Sequence, residues 1–306
     1  MARVAILPTR TTAVDLSRLP APTIVEQLSF ETVRQEILDY LQSPEVFPEF
    51  DATVESDPAV KLIQVFAYRE LLIRQRFNDR AKQVMLAYAE DTNLEHLGAL
   101  VDVARLLIDP GDPELGIDPV YESDESLRER IQLAPESFSV AGPETAYVFH
   151  ARSVAGTIRD ASAISPAPGE VLVSILSRSG NGTASLAEIE AVEAKLATVG
   201  GNDVRPLTDS VTIASAAIVN YVIDARLEIY DGPDATLILA EARRRLDAWL
   251  LTQGRLGGLV ARAAITAQLF VEGVANIDLV EPAADVDVDA TQSAFCAGID
   301  VQIADG

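Results

Sequence analysis

Cysteine is nearly absent from this chain. A single one, Cys296, stands among 306 residues, so no intrachain disulfide can form and a reducing compartment is the natural home. The stretch "ATQSAFCAGIDV" gives it no flanking basic group to lower the thiol pKa, and it reads as a small buried hydrophobe just before a last strand. Histidine is almost as scarce. His96 and His150 are the two present, and neither has a His, Cys or carboxylate neighbour at metal-ligand spacing. Basic residues are short as well: 24 Lys and Arg stand against 47 Asp and Glu, a net charge of −23. Such a surface repels phosphate and has no basic stripe to release counterions, which argues against nucleic-acid binding and directs expectation to protein partners. The imbalance is uneven, with 11 basic and 17 acidic groups in 1–110 but 13 and 30 in 111–306.

Long apolar runs are missing too. The fullest, "SVTIASAAIVNYVI" at 210–223, is broken by Ser, Thr and Asn, and the opening "MARVAILPTR" is too short for a secretory core. The expectation is a soluble protein with no membrane partner and no export signal of its own. Catalytic motifs are lacking in the same way. No G-x-S-x-G, Walker loop or H-E-x-x-H occurs, and "GNGT" at 180–183 lacks the Lys of a phosphate loop. Asp285, Asp287 and Asp289 alternate along an extended segment, but so acidic a chain throws up such sets by chance. No catalytic, cofactor-binding or metal-binding residue is assigned, and the weight shifts from enzyme to interaction protein.

What is present is an ordered pattern of helices and strands. Hydrophobic residues make up 48% of the chain, enough for more than one core. Ser29 caps a helix carrying Phe30, Val33 and Ile37, which Pro44 and Pro48 end. Asp57 and Pro58 open a longer helix that should run to about Tyr88. Its Leu62, Phe66, Ile73, Phe77, Ala81, Val84 and Tyr88 form one apolar stripe that must face something. Arg69, Glu70, Arg74, Arg76, Asp79, Arg80 and Lys82 are assigned to the opposite face. Thr92 and Glu95 fit a capping box for a further helix. Residues 109–120, "DPGDPELGIDPV", read as a linker.

Beyond it, helices over 122–133 and from Pro143 lead into strands near 157–163 and 171–176. A helix boxed by Ser185 and Glu188 and a strand over 210–215 complete a β-β-α-β unit. A long strand over 217–229, helices over 235–251 and 259–269, and strands near 276–280 and 298–303 follow. The class is α+β: an N-terminal helical domain followed by two small mixed α/β domains. The divisions are an apolar arm over 1–28, the helical domain over 29–108, and α/β modules over 109–215 and 216–306. In the arm, "VDLSRLPAPTIVEQLSFE", apolar groups precede any regular element, and they can dock either on the chain's own helical domain or on a neighbour.

Four pieces of the chain resemble the baseplate J-like assembly proteins of contractile-tailed bacteriophages and related tail-like particles. They are "VDLSRLPAP" with "VEQLSFE"; "DPAVKLIQVFAYRELLIRQRFNDRAKQVMLAYAEDTNLEHLGAL"; "AGPETAYVFHARSVAGTIRDASAISPAPGEVLVSIL"; and "LGGLVARAAITAQLFVEGVANIDLVEP" with "DATQSAFCAGIDVQI". They occur in the family's order and span nearly the whole chain. Two places depart from it: Ala89, Glu90 and Asp91 stand where the family often has a small Ala-Thr-Gly turn, and "DPGDPELGIDP" matches no family pattern. The resemblance implies a structural wedge subunit without catalysis or cofactor. It implies a dimer within the wedge, contact with other wedge proteins, neighbouring wedges and the hub and spike, and assembly in the bacterial cytoplasm into the tail baseplate. A tail-associated hydrolase is the alternative. The assembly contacts are assigned to Asp15, Leu16, Leu19, Pro20, Ile24 and Val25 of the arm and to Arg69, Arg76 and Arg80 of the long helix.

Overall fold

The computed structural model of the chain describes residues 14–16, 19, 20, 22, 29–51, 54, 56–139, 142–196, 204, 206, 208–230, 232 and 234–304. The class is α+β, with helices first and strand-rich modules after. Contacts divide the chain into two compact units, Val14–Leu100 and the part that runs from residue 101 onward.

The first unit is helical. Its α1 (Phe30–Leu41) is capped by Ser29, whose hydroxyl accepts the Thr32 N–H at 3.4 Å. Asp57 caps α2 (Pro58–Lys82) through the Ala59 N–H at 2.8 Å, and Pro58 takes the first turn, where its missing N–H is no loss. The helix stops at Lys82, short of Tyr88, and a run of turns follows. Its inner face is Val60, Ile63, Ala67 and Asn78. This face packs on α1, where Val33 is buried and Arg74 reaches Glu36 at 3.1 Å. Then comes α3 (Asp91–Ala99), which begins ahead of the Thr92–Glu95 box, so the box does not form the cap. Instead the Gln83 side chain accepts the Glu90 N–H at 3.0 Å and an Asn93 amide N–H at 3.3 Å. Asp91 has a φ of 48°, a left-handed backbone that glycine adopts at least strain.

The second unit opens with a hairpin where a linker was expected. Strands β1 (Leu107–Asp109) and β2 (Val120–Tyr121) pair antiparallel, and Asp112 and Ile117 exchange backbone hydrogen bonds of 3.0 and 2.9 Å farther out. The Pro, Gly and Asp that suggested a linker are there for the turns. Gly111 has a φ of 67°, and a Cβ on it would stand 2.3 Å from the Ile117 carbonyl oxygen.

The base of the hairpin is held by buried charge. The Glu122 carboxylate takes the Arg130 guanidinium in a salt bridge whose side chains are 1% and 5% exposed. It also accepts the Leu106 N–H at 3.0 Å and the Ser126 hydroxyl at 2.9 Å. Arg130 donates to the Ala104 carbonyl at 3.1 Å, and Arg105 to the Glu122 carbonyl at 2.7 Å and to Asp124 at 2.6 Å. Burial lowers the Arg130 pKa, and the Glu122 charge opposes that loss. Arg130 and Glu122 lie at the two ends of α4 (Asp124–Leu133) and its cap, so the helix carries the pair as a fixed strut.

The middle module then builds as the sequence pattern says. Helix α5 (Glu144–Arg152) is followed by β3 (Ile158–Ile164), β4 (Glu170–Ser177), α6 (Leu186–Leu196) and β5 (Ser210–Ser215). The sheet order is β3-β4-β5, with β3 antiparallel and β5 parallel to β4. The box at the head of α6 is formed: Ser185 donates its N–H to Glu188 at 2.8 Å, and the Glu188 N–H returns to the Ser185 hydroxyl at 3.3 Å. The last module comprises β6 (Ala217–Ile229), α7 (Ala235–Gln253), β7 (Leu259–Val260), α8 (Arg262–Leu269), β8 (Val274–Glu281), β9 (Val286–Asp287) and β10 (Gln292–Ile303). Strand β6 lies between β10, parallel, and β8, antiparallel. Its inward Tyr221, Ile223, Ala225 and Leu227 meet Ile238, Ala242 and Leu246 of α7 and Ile265 and Leu269 of α8. Cys296 lies inside β10 rather than before it, where burial pushes its thiol pKa up.

Replacing Arg130 by Ala leaves the Glu122 carboxylate buried without its ion partner, a change that costs about 3–5 kcal/mol. The expected result is a marked fall in Tm together with new proteolytic cleavage inside 107–121. An unchanged Tm and cleavage pattern would show that the pair does not hold the hairpin.

Candidate assembly surface

The assigned arm residues divide by what is described. Ile24 and Val25 lie outside the described residues. Asp15 and Pro20 are exposed, Leu16 is half-buried, and Leu19 is 41% exposed. The carbonyl of Leu19 accepts the Tyr88 hydroxyl, so this part of the arm touches its own helical unit.

Helix α2 carries the larger feature. Leu62, Phe66, Ile73 and Phe77 are 59%, 62%, 60% and 74% exposed, and Val65 joins them. The stripe that must face something therefore points to solvent within this chain, because the smaller Val60, Ile63 and Ala67 supply the face that packs on α1. Arg69, Arg76 and Arg80 are exposed, and they do not lie opposite this stripe. At 3.6 residues per turn, position 69 falls between 62, 66 and 73, and positions 76 and 80 continue the row. The correction is one of geometry: the three arginines interleave with the apolar side chains. Arg74 is the one turned toward α1. The helix holds six basic residues, Lys61, Arg69, Arg74, Arg76, Arg80 and Lys82, of the 24 in the chain, with only Glu70 and Asp79 against them. A contiguous apolar row edged by guanidinium groups is the composition of a protein interface, where Arg and aromatic residues are enriched.

A second cluster binds the middle module to the last one. Glu129 of α4 accepts Arg152 at 2.9 Å and Arg255 at 2.7 Å. The Arg159 guanidinium donates to the Leu251 carbonyl, and Asp160 accepts the Leu256 N–H at 2.9 Å. Gly254 is required by this close approach, since a Cβ there would stand 2.4 Å from the Arg159 Cζ. Leu176, Ala216 and Leu256 form a small buried cluster beneath these bonds.

Groups suited to chemistry are sparse. Among the described residues no set of three His, Cys, Asp or Glu side chains could hold a metal ion. His150 is buried in α5, with its Nε2 unpaired and its pKa lowered by burial and by the Lys195 charge. Among the described residues no helix is long and apolar enough to cross a membrane.

With this architecture described, the comparisons place the chain in a class. Models of the baseplate J-like N-terminal, central and C-terminal domains match residues 55–112, 139–215 and 221–302, in that order. The chain belongs to the baseplate J-like family, which is one of structural baseplate proteins and not of enzymes. Over 291 residues it is 45% identical to baseplate protein J of Escherichia phage P2, a match covering 92% of this chain and 95% of that protein. A solved structure titled as the anti-feeding prophage baseplate, 6-fold symmetrised, aligns at 12% identity with a TM-score of 0.40. It covers 60% of this chain and 43% of the other.

Burial raises the Glu129 pKa, but the charges of Arg152 and Arg255 outweigh it, and the carboxyl ends below its ordinary value. A depressed carboxylate pKa contributes stability above the unfolded pKa and loses it as the pH falls through the folded one. The Tm of Glu129→Gln should therefore lie below that of the native chain at neutral pH. The gap should close in acid below the usual carboxylate range, and a pH-independent gap would refute the charge pairing.

Proposed function

We propose that this chain is a structural subunit of the baseplate wedge in a contractile phage tail or tail-like particle, and that it assembles in the bacterial cytoplasm. Copies pair with one another within a wedge and bind other wedge proteins, and neighbouring wedges join into a ring around the hub and spike. Rearrangement of that ring passes host contact on to sheath contraction. In this reading residues 1–28 act as an arm, 29–108 as the helical domain that carries assembly contacts, and 109–215 and 216–306 as the two α/β modules. Family membership supports the baseplate role. The single structural observation that carries the assembly part is the outward Leu62–Phe66–Ile73–Phe77 row with Arg69, Arg76 and Arg80 among it. In water such a row gains about 1.5–3 kcal/mol for each large side chain that a partner buries fully.

The double substitution Phe66→Asp with Phe77→Asp tests this. Both side chains are exposed, so circular dichroism and Tm should stay close to those of the native chain. Co-purification with other baseplate proteins, and formation of infective or contractile particles, should be lost. Normal particles from the variant would sink the assignment of α2.

The arm is tested by removing residues 1–28. The expected product is a folded chain that no longer assembles. Loss of helicity and solubility would place the arm in the subunit's own helical core, in line with the Tyr88 to Leu19 bond.

A further inference from the structure

The β1–β2 hairpin stands where the sequence suggested a linker. It is a rigid tongue. Its outer turn is closed by the two Asp112–Ile117 backbone bonds, by Asp109 accepting the Gly111 N–H at 2.8 Å, and by Asp112 accepting the Glu114 N–H at 2.9 Å. Its base is pinned by the Glu122–Arg130 pair, and Gly156 lets it seat closely, since a Cβ there would stand 2.3 Å from the Leu107 carbonyl oxygen. Yet it displays apolar side chains. Leu115, Ile117, Val120 and Tyr121 are all at least half exposed, the first 74%. Around them stand Asp109, Asp112, Glu114 and Asp118, and no basic residue occurs between Arg105 and Arg128. None of the hairpin's internal hydrogen bonds given above uses the Glu114 or Asp118 carboxylate.

The chemistry that would cover this tongue is an apolar surface edged with guanidinium groups. Among the described residues, α2 presents such a surface. We propose that the acidic hairpin of one copy docks on the Arg-edged apolar face of α2 in a second copy; this rests on the reading of α2 as an assembly surface and names what meets it there. The sizes agree. From Leu62 to Phe77 the helix rises about 22 Å, and the hairpin arm from Leu115 to Tyr121 spans at most about 20 Å. The charges agree as well: Glu114 and Asp118 meet Arg69, Arg76 and Arg80, so opposite potentials fix the register while the apolar side chains supply the buried area. Because the hairpin is already ordered, docking freezes little chain, which favours it over a mobile loop of the same composition. The contact joins two different surfaces, so it closes either twice over in an isologous two-fold pair or as a heterologous head-to-tail contact around a ring.

Two measurements on the full chain test the proposal. In a Cys296→Ser background, chains carrying Phe77→Cys and chains carrying Leu115→Cys are purified separately, mixed and oxidised. A disulfide-linked heterodimer is expected. Separately, self-association is followed by analytical ultracentrifugation. Glu114→Lys with Asp118→Lys should weaken it by about tenfold or more, as should Arg69→Glu with Arg76→Glu, and combining all four in one chain should restore most of the loss. If Phe66→Asp with Phe77→Asp separates the copies while the hairpin substitutions change nothing, α2 meets some other surface: the proposal falls and the wedge reading stands. If neither set has an effect, or the native chain stays monomeric and uncrosslinked, both the proposal and the self-pairing part of that reading fall. Rescue by the four combined substitutions without any cross-link between copies would place the contact inside one chain and also overturn the proposal.

Discussion

The buried Glu122–Arg130 ion pair is the constraint on which the second unit is arranged. Taking two charges out of water is expensive, and the expense is recovered only where the remaining lone pairs and N–H groups find partners. Here they do: Leu106 and Ser126 occupy the carboxylate, and Ala104 takes the guanidinium. These partners come from two stretches, the chain at 104–106 and helix α4, so the pair fixes how the start of the hairpin meets that helix. An apolar pair of similar volume could match its stability, but it would not dictate direction in this way. The arginines around it extend the principle. Arg178 donates to Gly156 at 2.8 Å and to Ser126 at 2.9 Å, and Arg152 and Arg255 share Glu129. In a chain with so few basic residues, a large share of them is spent on internal joints and on α2, which leaves the rest of the surface acidic.

The division of labour between the two units follows from the same distribution. The second unit encloses its apolar residues between sheets and helices, with β6, α7 and α8 forming one continuous core. The first has a thinner core, with α2 buried on only one side. Its larger side chains lie on the side away from that core. A helix with its bulkiest side chains outside and smaller ones inside gains less from folding alone and more from being covered.

Local chemistry was legible in the residues, and long-range pairing was not. Ser29, Asp57 with Pro58, and Ser185 with Glu188 announce helix starts through side chains that reach two or three positions, and all three caps are formed. The β-β-α-β order and the long strand over 217–229 could be read from alternation and flanking turns. The hairpin over 107–121 could not, because its strands are two and three residues long and its Gly and Pro density is what a linker also shows. Nor could the clamp beneath it, since nothing local marks Glu122 and Arg130 as partners. The α2 stripe taught a narrower lesson. Periodicity identified an apolar row correctly but not what covers it, and α2 has apolar residues on two adjacent faces. Comparing side-chain size on the two would have been the available signal: Val60, Ile63 and Ala67 suit close helix packing, while Phe66 and Phe77 suit a partner.

The parallel pairing of β10 with β6 sets an order of events during synthesis. Strand β6 is made before β10, so one of its two edges stays open until residues 292–303 have left the ribosome. Until then β6 has only β8 beside it, and the inner face of the module lacks Val301. Non-local closure of this kind is slow relative to local helix formation. The helical unit is thus ready before the module that follows it, and a chain interrupted upstream of β10 presents an unfinished sheet.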